Sequence, residues 1–121
     1  MARILLADDA NFMKLIQREI IEKAGHTIVA EAANGTEAVA LYKELSPDLV
    51  IMDINMPEMN GLNAMKTILE SDNAARVIVV SAMGAPKFIK QAIEAGATDF
   101  IVKPFKRERI QDSINKALGL V

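Results

Sequence analysis

Four short polar segments of the sequence carry side chains that could act together in one chemical site. They are Asp8-Asp9, Asp53, Ser81 and Lys103-Pro104, and each directly follows a short apolar run. Three carboxylates placed close together repel one another, so either some of them are protonated or a cation neutralises them. Their chemistry therefore depends on whether the fold brings these segments to one place.

The residue types favour a particular cation and a particular reaction. Oxygen ligands without a neighbouring histidine or cysteine favour a hard ion, and Mg²⁺ fits such a set best. A lysine beside the ion supplies a positive charge for a phosphoryl oxygen, and a serine hydroxyl can hydrogen-bond another. An aspartate in this setting can be a nucleophile that becomes an aspartyl phosphate. The segments thus predict phosphoryl chemistry supported by Mg²⁺.

Apolar runs at a regular interval predict the strands that position these groups. The runs are residues 4–7, 28–30, 49–52, 77–80 and 100–102. The first, third and fourth are continuous rather than alternating, which is typical of parallel strands covered by helices on both faces. The second is followed by Glu31 and the fifth is very short. These two runs therefore suit the edges of the sheet.

Helical patterns fill the intervals between the strands. Apolar residues form five stripes at helical spacing: Phe12, Leu15, Ile16, Ile20 and Ala24; Ala38, Leu41, Tyr42 and Leu45; Leu62, Met65 and Leu69; Ile89, Ala92 and Ile93; Ile110, Ile114, Ala117 and Leu118. Gly25, Gly96 and Gly119 follow three of these stripes as helix stop signals. Asn34 followed by Glu37 is typical of a capping box at the start of the second helix.

Five strand–helix units are too few for a closed eight-stranded barrel. The sequence therefore predicts an α/β fold, a flavodoxin-like (βα)5 doubly wound parallel sheet with strand order 2-1-3-4-5. Right-handed crossovers then place helices 1 and 5 on one face and helices 2, 3 and 4 on the other. Ligands of such sheets bind at the carboxyl ends of the strands, near the switch point between strands 1 and 3. Asp8, Asp9 and Asp53 should converge there, with Ser81 and Lys103 beside them.

Composition narrows the class of protein. The 121 residues suffice for one domain. No cysteine is present, which excludes a disulfide framework, a thiol nucleophile and a thiolate metal site. No signal peptide or spanning segment is apparent, so a cytoplasmic location is expected. His26 lies alone in a turn and Tyr42 at helical spacing, and packing roles are expected for both.

The charge is unevenly distributed along the chain. The net charge of −2 argues against general nucleic-acid binding. Residues 1–85 hold 7 cations and 12 acids, whereas residues 86–121 hold 7 cations and 4 acids. The last third of the chain is therefore basic.

In order and spacing, these segments resemble the receiver domain of two-component response regulators. The matching pieces are Asp8-Asp9, residues 52–61 (MDINMPEMNG), Ser81-Ala82 and residues 103–105 (KPF). Residues 34–39 (NGTEAV), 81–84 (SAMG) and 95–100 (AGATDF) are similar to the free-standing chemotaxis regulators of that family. The resemblance covers essentially the whole chain and implies a single receiver domain over residues 1–121 without an output domain.

The resemblance implies a role for each matching residue. Asp53 would be the phosphoacceptor and Asp9 a direct ligand of Mg²⁺, with Asp8 acting mostly through a bound water. The backbone carbonyl of Asn55 would be a further ligand. Lys103 would contact the phosphoryl group and precede a cis proline bond.

Two switch positions also follow from the resemblance. Ser81 would bond the phosphoryl oxygen, and Phe100 would turn inward when that hydroxyl moves. The family often has threonine and tyrosine at these positions. Ser81 keeps the hydroxyl, whereas Phe100 lacks the phenol oxygen.

The same resemblance implies the partners. A sensor histidine kinase would donate the phosphoryl group, a flagellar motor switch protein would receive the signal, and a phosphatase is a further candidate partner. The chain would be a monomer that catalyses only its own phosphorylation and dephosphorylation. The readout surface would comprise the fourth helix, the fifth strand and the fifth helix. Its expected contact residues are Lys87, Lys90, Phe100, Lys106 and Arg109.

Other two-component functions remain open at the level of sequence, whereas the residues argue against a phosphatase and exclude an electron carrier. The same chemistry would serve a phosphorelay intermediate, another two-component circuit, or a fragment of a longer transcription regulator. A Mg²⁺-dependent phosphatase needs a second acid two residues after its nucleophile, where this chain has Asn55. An electron carrier of the flavodoxin type needs a phosphate-binding loop after the first strand, and the acidic Asp8-Asp9 would repel a phosphate there.

Overall fold

The computed structural model describes residues 1–120 and contains five strands alternating with five helices. The strands are β1 (Arg3–Ala7), β2 (Thr27–Ala32), β3 (Leu49–Asp53), β4 (Val77–Ser81) and β5 (Asp99–Val102). The helices are α1 (Asn11–Lys23), α2 (Gly35–Leu45), α3 (Gly61–Ser71), α4 (Pro86–Glu94) and α5 (Arg107–Ala117). All neighbouring strands are parallel, in the order β2-β1-β3-β4-β5. The predicted doubly wound sheet is confirmed.

Two apolar layers hold the sheet between its helices. Side chains alternate along each strand, so that in β1 Leu5 packs on one layer while Ile4 and Leu6 pack on the other. One layer receives α2, α3 and α4, and the other receives α1 and α5. This division of the helices is the one that right-handed crossovers predict. The central strands β3 and β4 are buried along their whole length.

The predicted helix ends are also found. Asn34 caps α2, its Oδ1 accepting from the backbone N–H of Glu37 at 2.8 Å. The Glu37 carboxylate reaches back to the N–H of Ala33 at 3.0 Å, which completes a variant of the capping box. Gly25, Gly96 and Gly119 all have positive φ, a conformation that only glycine adopts without strain.

The apolar stripe predicted for α1 is wrong at its N-terminal end. Phe12 and Leu15 are 72% and 58% exposed. The buried residues of this helix are Gln17, Ile20 and Ile21, and helical geometry places Leu15 on the side away from them. The buried face of α1 therefore includes a polar residue, Gln17, which the apolar pattern did not predict. In α4, Ile93 is likewise exposed whereas Ala92 is buried.

The packing roles expected for two isolated residues are observed. His26 is buried, and its Nδ1 accepts from the backbone N–H of Ala2 at 3.2 Å. The Tyr42 hydroxyl donates to Asp72 Oδ2 at 2.7 Å, which links α2 to the end of α3. Within residues 1–120, no helix combines the length and the apolar character needed to cross a membrane.

Candidate functional site

The carboxyl edge of the sheet brings three aspartates together at the predicted switch point. β1 pairs with β3, so Asp8, one residue past β1, lies beside Asp53, the last residue of β3. One carboxylate oxygen each of Asp8, Asp9 and Asp53 lies within 4.8 Å of the others. Asp8 and Asp53 are buried, whereas Asp9 is exposed. The cluster therefore opens to solvent on the Asp9 side.

Lys103 supplies a positive charge between two of these carboxylates. Its Nζ lies 3.2 Å from Asp8 Oδ2 and 3.3 Å from Asp53 Oδ2. The residue directly follows β5 at the sheet edge, and its backbone N–H donates to the carbonyl of Ser81 at 2.8 Å. The Lys103–Pro104 peptide bond is cis, as the resemblance implies.

Asp8 is held by three donors. Its Oδ1 accepts from the N–H of Ala10 at 2.9 Å, and its Oδ2 accepts from Lys103 Nζ and from Gln17 Nε2 at 3.3 Å. Gln17 is 1% exposed, and its Oε1 has no hydrogen-bond partner among the described residues. Gln17 is not among the site residues predicted from the sequence. The signal was a polar residue in register with Ile20 and Ile21 on the inner face of a helix.

The environment of Asp53 disfavours its negative charge. Burial raises the pKa of the Asp53 carboxyl above its ordinary value; Lys103 opposes this effect, and the nearby Asp8 charge adds to it. The backbone N–H of Asn55 donates to Asp53 Oδ1 at 3.4 Å. One ammonium group therefore faces more negative charge than it can neutralise, and an added cation would favour the ionised carboxylate.

The donor set fits a magnesium ion. Its side-chain ligands are all carboxylate oxygens, which a hard divalent cation prefers. Asp9 and Asn55 are both exposed beside the buried Asp53, so waters can complete the coordination shell as Mg²⁺ requires.

A glycine-bounded loop after β3, part of the segment 52–61 on which the resemblance depends, completes the site. A Cβ on Gly61 would lie 1.9 Å from the backbone oxygen of Asp53. Gly35 approaches the loop from the other side, its N–H donating to the carbonyl of Met59 at 2.8 Å. Glu58 has φ of 67° and its Oε2 accepts from Asn34 Nδ2 at 3.0 Å. Residues 54–60 are thereby fixed between α2 and α3.

Ser81 lies at the same edge of the sheet, but its hydroxyl is hydrogen-bonded to a neighbouring residue in the chain rather than to the carboxylates. The side chain is fully buried at the end of β4. Its Oγ accepts from the backbone N–H of Met83 at 3.0 Å. Within residues 1–120 the Ser81 side chain makes no other hydrogen bond, so the hydroxyl does not bond the carboxylates in this conformation.

Two residues expected at the partner surface make their main contacts within the chain, although the Arg109 side chain is 43% exposed. Phe100 is 6% exposed and packs in the layer beneath α2, α3 and α4. Arg109 donates to both carboxylate oxygens of Asp99, at 3.0 and 3.2 Å, and to the carbonyl of Phe100. The assignment of Phe100 to that surface is wrong for this conformation, and the Arg109 guanidinium is committed within the chain. Lys87, Lys90 and Lys106 are exposed.

Comparison with known proteins agrees with this geometry. The response regulator receiver domain model matches residues 4–115. The chain is 54% identical to the chemotaxis protein CheY of Thermotoga maritima, over 94% of this chain and 95% of that protein. It is also 54% identical to the chemotaxis protein CheY of Bacillus subtilis, over 97% and 98%.

A solved structure gives the same result for the fold. A chain in the crystal structure of the CheX–CheY–BeF3–Mg²⁺ complex from Borrelia burgdorferi superposes with a TM-score of 0.92 at 36% identity, covering 94% of this chain and 87% of that one. The sheet order, the acidic cluster with its lysine, and these matches over nearly the full length together assign the chain to the receiver domain family of response regulators.

Proposed function

We propose that this chain is a chemotaxis response regulator that accepts a phosphoryl group on Asp53 from a phosphohistidine of a sensor kinase. The observation that carries the proposal is the position of Lys103 Nζ, 3.3 Å from Asp53 Oδ2 within a cluster of three carboxylates. This arrangement places a nucleophile, the Asp53 carboxylate, beside a positive charge that can bind phosphoryl oxygens, the Lys103 ammonium group. Both lie at the edge of the sheet that opens to solvent. On this proposal the chain acts as a stand-alone cytoplasmic receiver.

The transfer is a displacement at phosphorus. A carboxylate oxygen of Asp53 forms the new P–O bond, and the P–N bond to the donor imidazole breaks with its electron pair returning to nitrogen, which then takes up a proton. The charge on the phosphoryl oxygens is met by Lys103, so catalysis is positioning and electrostatic stabilisation. On this scheme the chain catalyses only its own phosphorylation and dephosphorylation.

The metal would be held by the residues that already converge. Asp9 and Asp53 would contribute carboxylate oxygens, Asn55 its backbone carbonyl, and Asp8 would act through a bound water. Mg²⁺ bound there supplies positive charge that neutralises the carboxylates and the incoming phosphoryl oxygens. The excess of negative charge around Lys103 supports this assignment.

The signal would leave the site through Ser81. Its hydroxyl must turn from the N–H of Met83 to a phosphoryl oxygen, which disturbs the start of the β4–α4 connection. Phe100 is already inward. Phosphorylation would therefore shift an equilibrium toward a conformation with the inward aromatic ring rather than create that orientation.

The output we propose is a flagellar motor switch protein, supported by similarity to relatives named as chemotaxis proteins. The test is a titration with the N-terminal peptide of such a protein, with and without Mg²⁺ and beryllofluoride, a mimic of the phosphoryl group. Tighter binding only with both additives is expected, and Asp53→Asn should abolish the difference.

Each outcome separates the chemistry from the circuit. Beryllofluoride uptake without peptide binding in either state would keep the receiver chemistry and reject the motor output. The protein would then serve a phosphorelay or another two-component circuit. Failure of the native chain to take up beryllofluoride with Mg²⁺ would reject the phosphoacceptor role of Asp53.

A further inference from the structure

Gln17 is a buried polar side chain that packing alone does not explain. It lies on the inner face of α1 beside Ile20 and Ile21, with 1% of its surface exposed. Its Oε1 has no partner among the described residues. An unpaired buried carbonyl costs free energy that a leucine of similar size would avoid. The hydrogen bond that the amide donates through Nε2 is therefore the feature that a leucine could not replace.

That donor meets Asp8 at an oxygen which it shares with Lys103. Gln17 Nε2 and Lys103 Nζ lie 3.3 and 3.2 Å from the same Asp8 Oδ2. Lys103 also bonds Asp53 Oδ2 at 3.3 Å. One ammonium group thus serves two carboxylates, and of these two only Asp8 has a second side-chain donor within residues 1–120.

On the proposed mechanism, Lys103 turns toward a phosphoryl oxygen when Asp53 is phosphorylated. Asp8 is 1% exposed, so apart from the water proposed to link it to Mg²⁺, solvent cannot readily replace the hydrogen bond that Lys103 gives up. A buried carboxylate oxygen without a donor is strongly unfavourable. Gln17 remains on this oxygen because its helix is packed on the sheet.

We propose that Gln17 is a positioning residue that releases Lys103 from Asp8. By keeping Asp8 Oδ2 hydrogen-bonded, it lowers the cost of turning Lys103 to the phosphoryl group. The inference rests on the proposed phosphoacceptor role of Asp53 and deepens it. Gln17 does not touch the reacting atoms and acts only through Asp8 and Lys103.

The test replaces the amide by an apolar group of similar size, as Gln17→Leu and Gln17→Met. Calorimetry measures Mg²⁺ affinity, fluorine NMR measures beryllofluoride affinity at saturating Mg²⁺, and urea unfolding without Mg²⁺ measures stability. We expect about tenfold weaker beryllofluoride binding, from loss of a hydrogen bond to a charged group. Mg²⁺ affinity should change less than about twofold and the urea midpoint should not fall, because the unpaired Oε1 is removed as well.

The matched control is Gln111→Leu, the same change at a half-buried position of α5. It should leave beryllofluoride binding unchanged.

Three results would overturn the inference. The first is native beryllofluoride affinity in both Gln17 variants. The second is an equal loss of Mg²⁺ and beryllofluoride affinity, which would assign Gln17 to the metal site. The third is a lowered urea midpoint in both variants, which would give Gln17 a structural role. If the native chain itself bound no beryllofluoride, the proposed function would fail first and the inference with it.

Discussion

Lys103 is the residue on which the charge balance of the site depends. The Lys103 side chain is 16% exposed, and its ammonium group lies between the carboxylates of Asp8 and Asp53, whose side chains are 1% and 7% exposed. Removing one partner of a largely buried ion pair leaves an uncompensated charge, which costs more than the pair itself contributes. Lys103 should therefore matter both for folding and for phosphoryl binding.

We predict that Lys103→Met lowers the free energy of unfolding by about 2 kcal/mol in the presence of EDTA. Mg²⁺ should stabilise this variant more than the native chain, because the cation then neutralises charge that Lys103 no longer meets. Urea unfolding at neutral pH with and without Mg²⁺ checks both effects. Lys106→Met, at an exposed position, should change stability by less than about 0.5 kcal/mol. A Lys103 variant as stable as that control would contradict the argument.

At this scale the sequence predicted positions better than conformations. Asp8, Asp9, Asp53 and Lys103 could be found because strand ends of a parallel sheet meet at one edge. The orientation of Phe100 could not, since an aromatic ring at the end of a sheet can pack inward or outward with the same sequence neighbours.

At the scale of elements, Asp99 ties β5 to α5. Its carboxylate accepts from Arg109 at 3.0 and 3.2 Å and from Ser113 Oγ at 2.7 Å. Burial by itself would raise the pKa of Asp99, but the hydrogen bonds from Arg109 and Ser113 outweigh it, and the pKa lies below its ordinary value. The same pair raises the pKa of Arg109.

This tie predicts a pH dependence of stability. The folded chain binds the Asp99 proton less tightly than the unfolded chain, so the stabilisation is present above the ordinary pKa of 3.8 and is lost as the pH falls through the folded value. Asp99→Asn should lower the free energy of unfolding by about 1 kcal/mol at pH 7, and the deficit should shrink below pH 3.8. Urea unfolding across this range measures it, with Glu94→Gln at an exposed position of α4 as the control. If the loss of unfolding free energy in Asp99→Asn did not depend on pH, the stabilisation could not come from the ionised Asp99 carboxylate.

Gly61 limits how closely α3 approaches the end of β3. An added Cβ would lie 1.9 Å from the backbone oxygen of Asp53 and 2.9 Å from Met52 Cγ. Alanine favours a helix over glycine by about 1 kcal/mol, but a backbone atom cannot yield as a side chain can. We predict that Gly61→Ala lowers the free energy of unfolding by about 2 kcal/mol and weakens beryllofluoride uptake.

The control for Gly61 is Gly119→Ala, where a Cβ would meet no atom of residues 1–120 within 4 Å. The positive φ of Gly119 is then the source of strain, and we expect it to lower the free energy of unfolding by about 1 kcal/mol. Beryllofluoride uptake should not change. Native stability of Gly61→Ala would mean that α3 shifts freely, and the fixed geometry of the loop would be wrong.

Element patterns explain why most of the fold could be predicted and part of α1 could not. Continuous apolar runs such as residues 77–80 can only be buried on both faces, which fixes the central strands. Phe12 and Leu15 were expected inside because they are apolar, yet the inner face of α1 carries Gln17. A buried polar residue on this face breaks the apolar pattern on which the prediction depends.

At the scale of the whole molecule, the chain separates its charges. The acidic cluster lies at the carboxyl edge of the sheet, whereas residues 86–121 hold 7 cations and 4 acids. Of these cations, Lys103, Arg107 and Arg109 form ion pairs within the chain. Lys87 and Lys90 on α4 are exposed, and Lys87 Nζ lies 5.1 Å from the centroid of the Phe88 ring. The cations of α4 are therefore available to an acidic partner.

Replacing both α4 lysines by glutamate tests this reading. We predict that Lys87→Glu with Lys90→Glu weakens binding of the motor switch peptide to the beryllofluoride-activated chain by about tenfold at low salt, mainly by slowing association. The loss should shrink as salt is added, because exposed charges are screened over about 10 Å at 0.1 M. The matched control is Lys43→Glu with Lys66→Glu, an equal change of charge at exposed positions of α2 and α3. Equal weakening in the two double variants would mean that net charge, not the α4 face, attracts the partner. Unchanged binding of the α4 variant would remove Lys87 and Lys90 from the interface altogether.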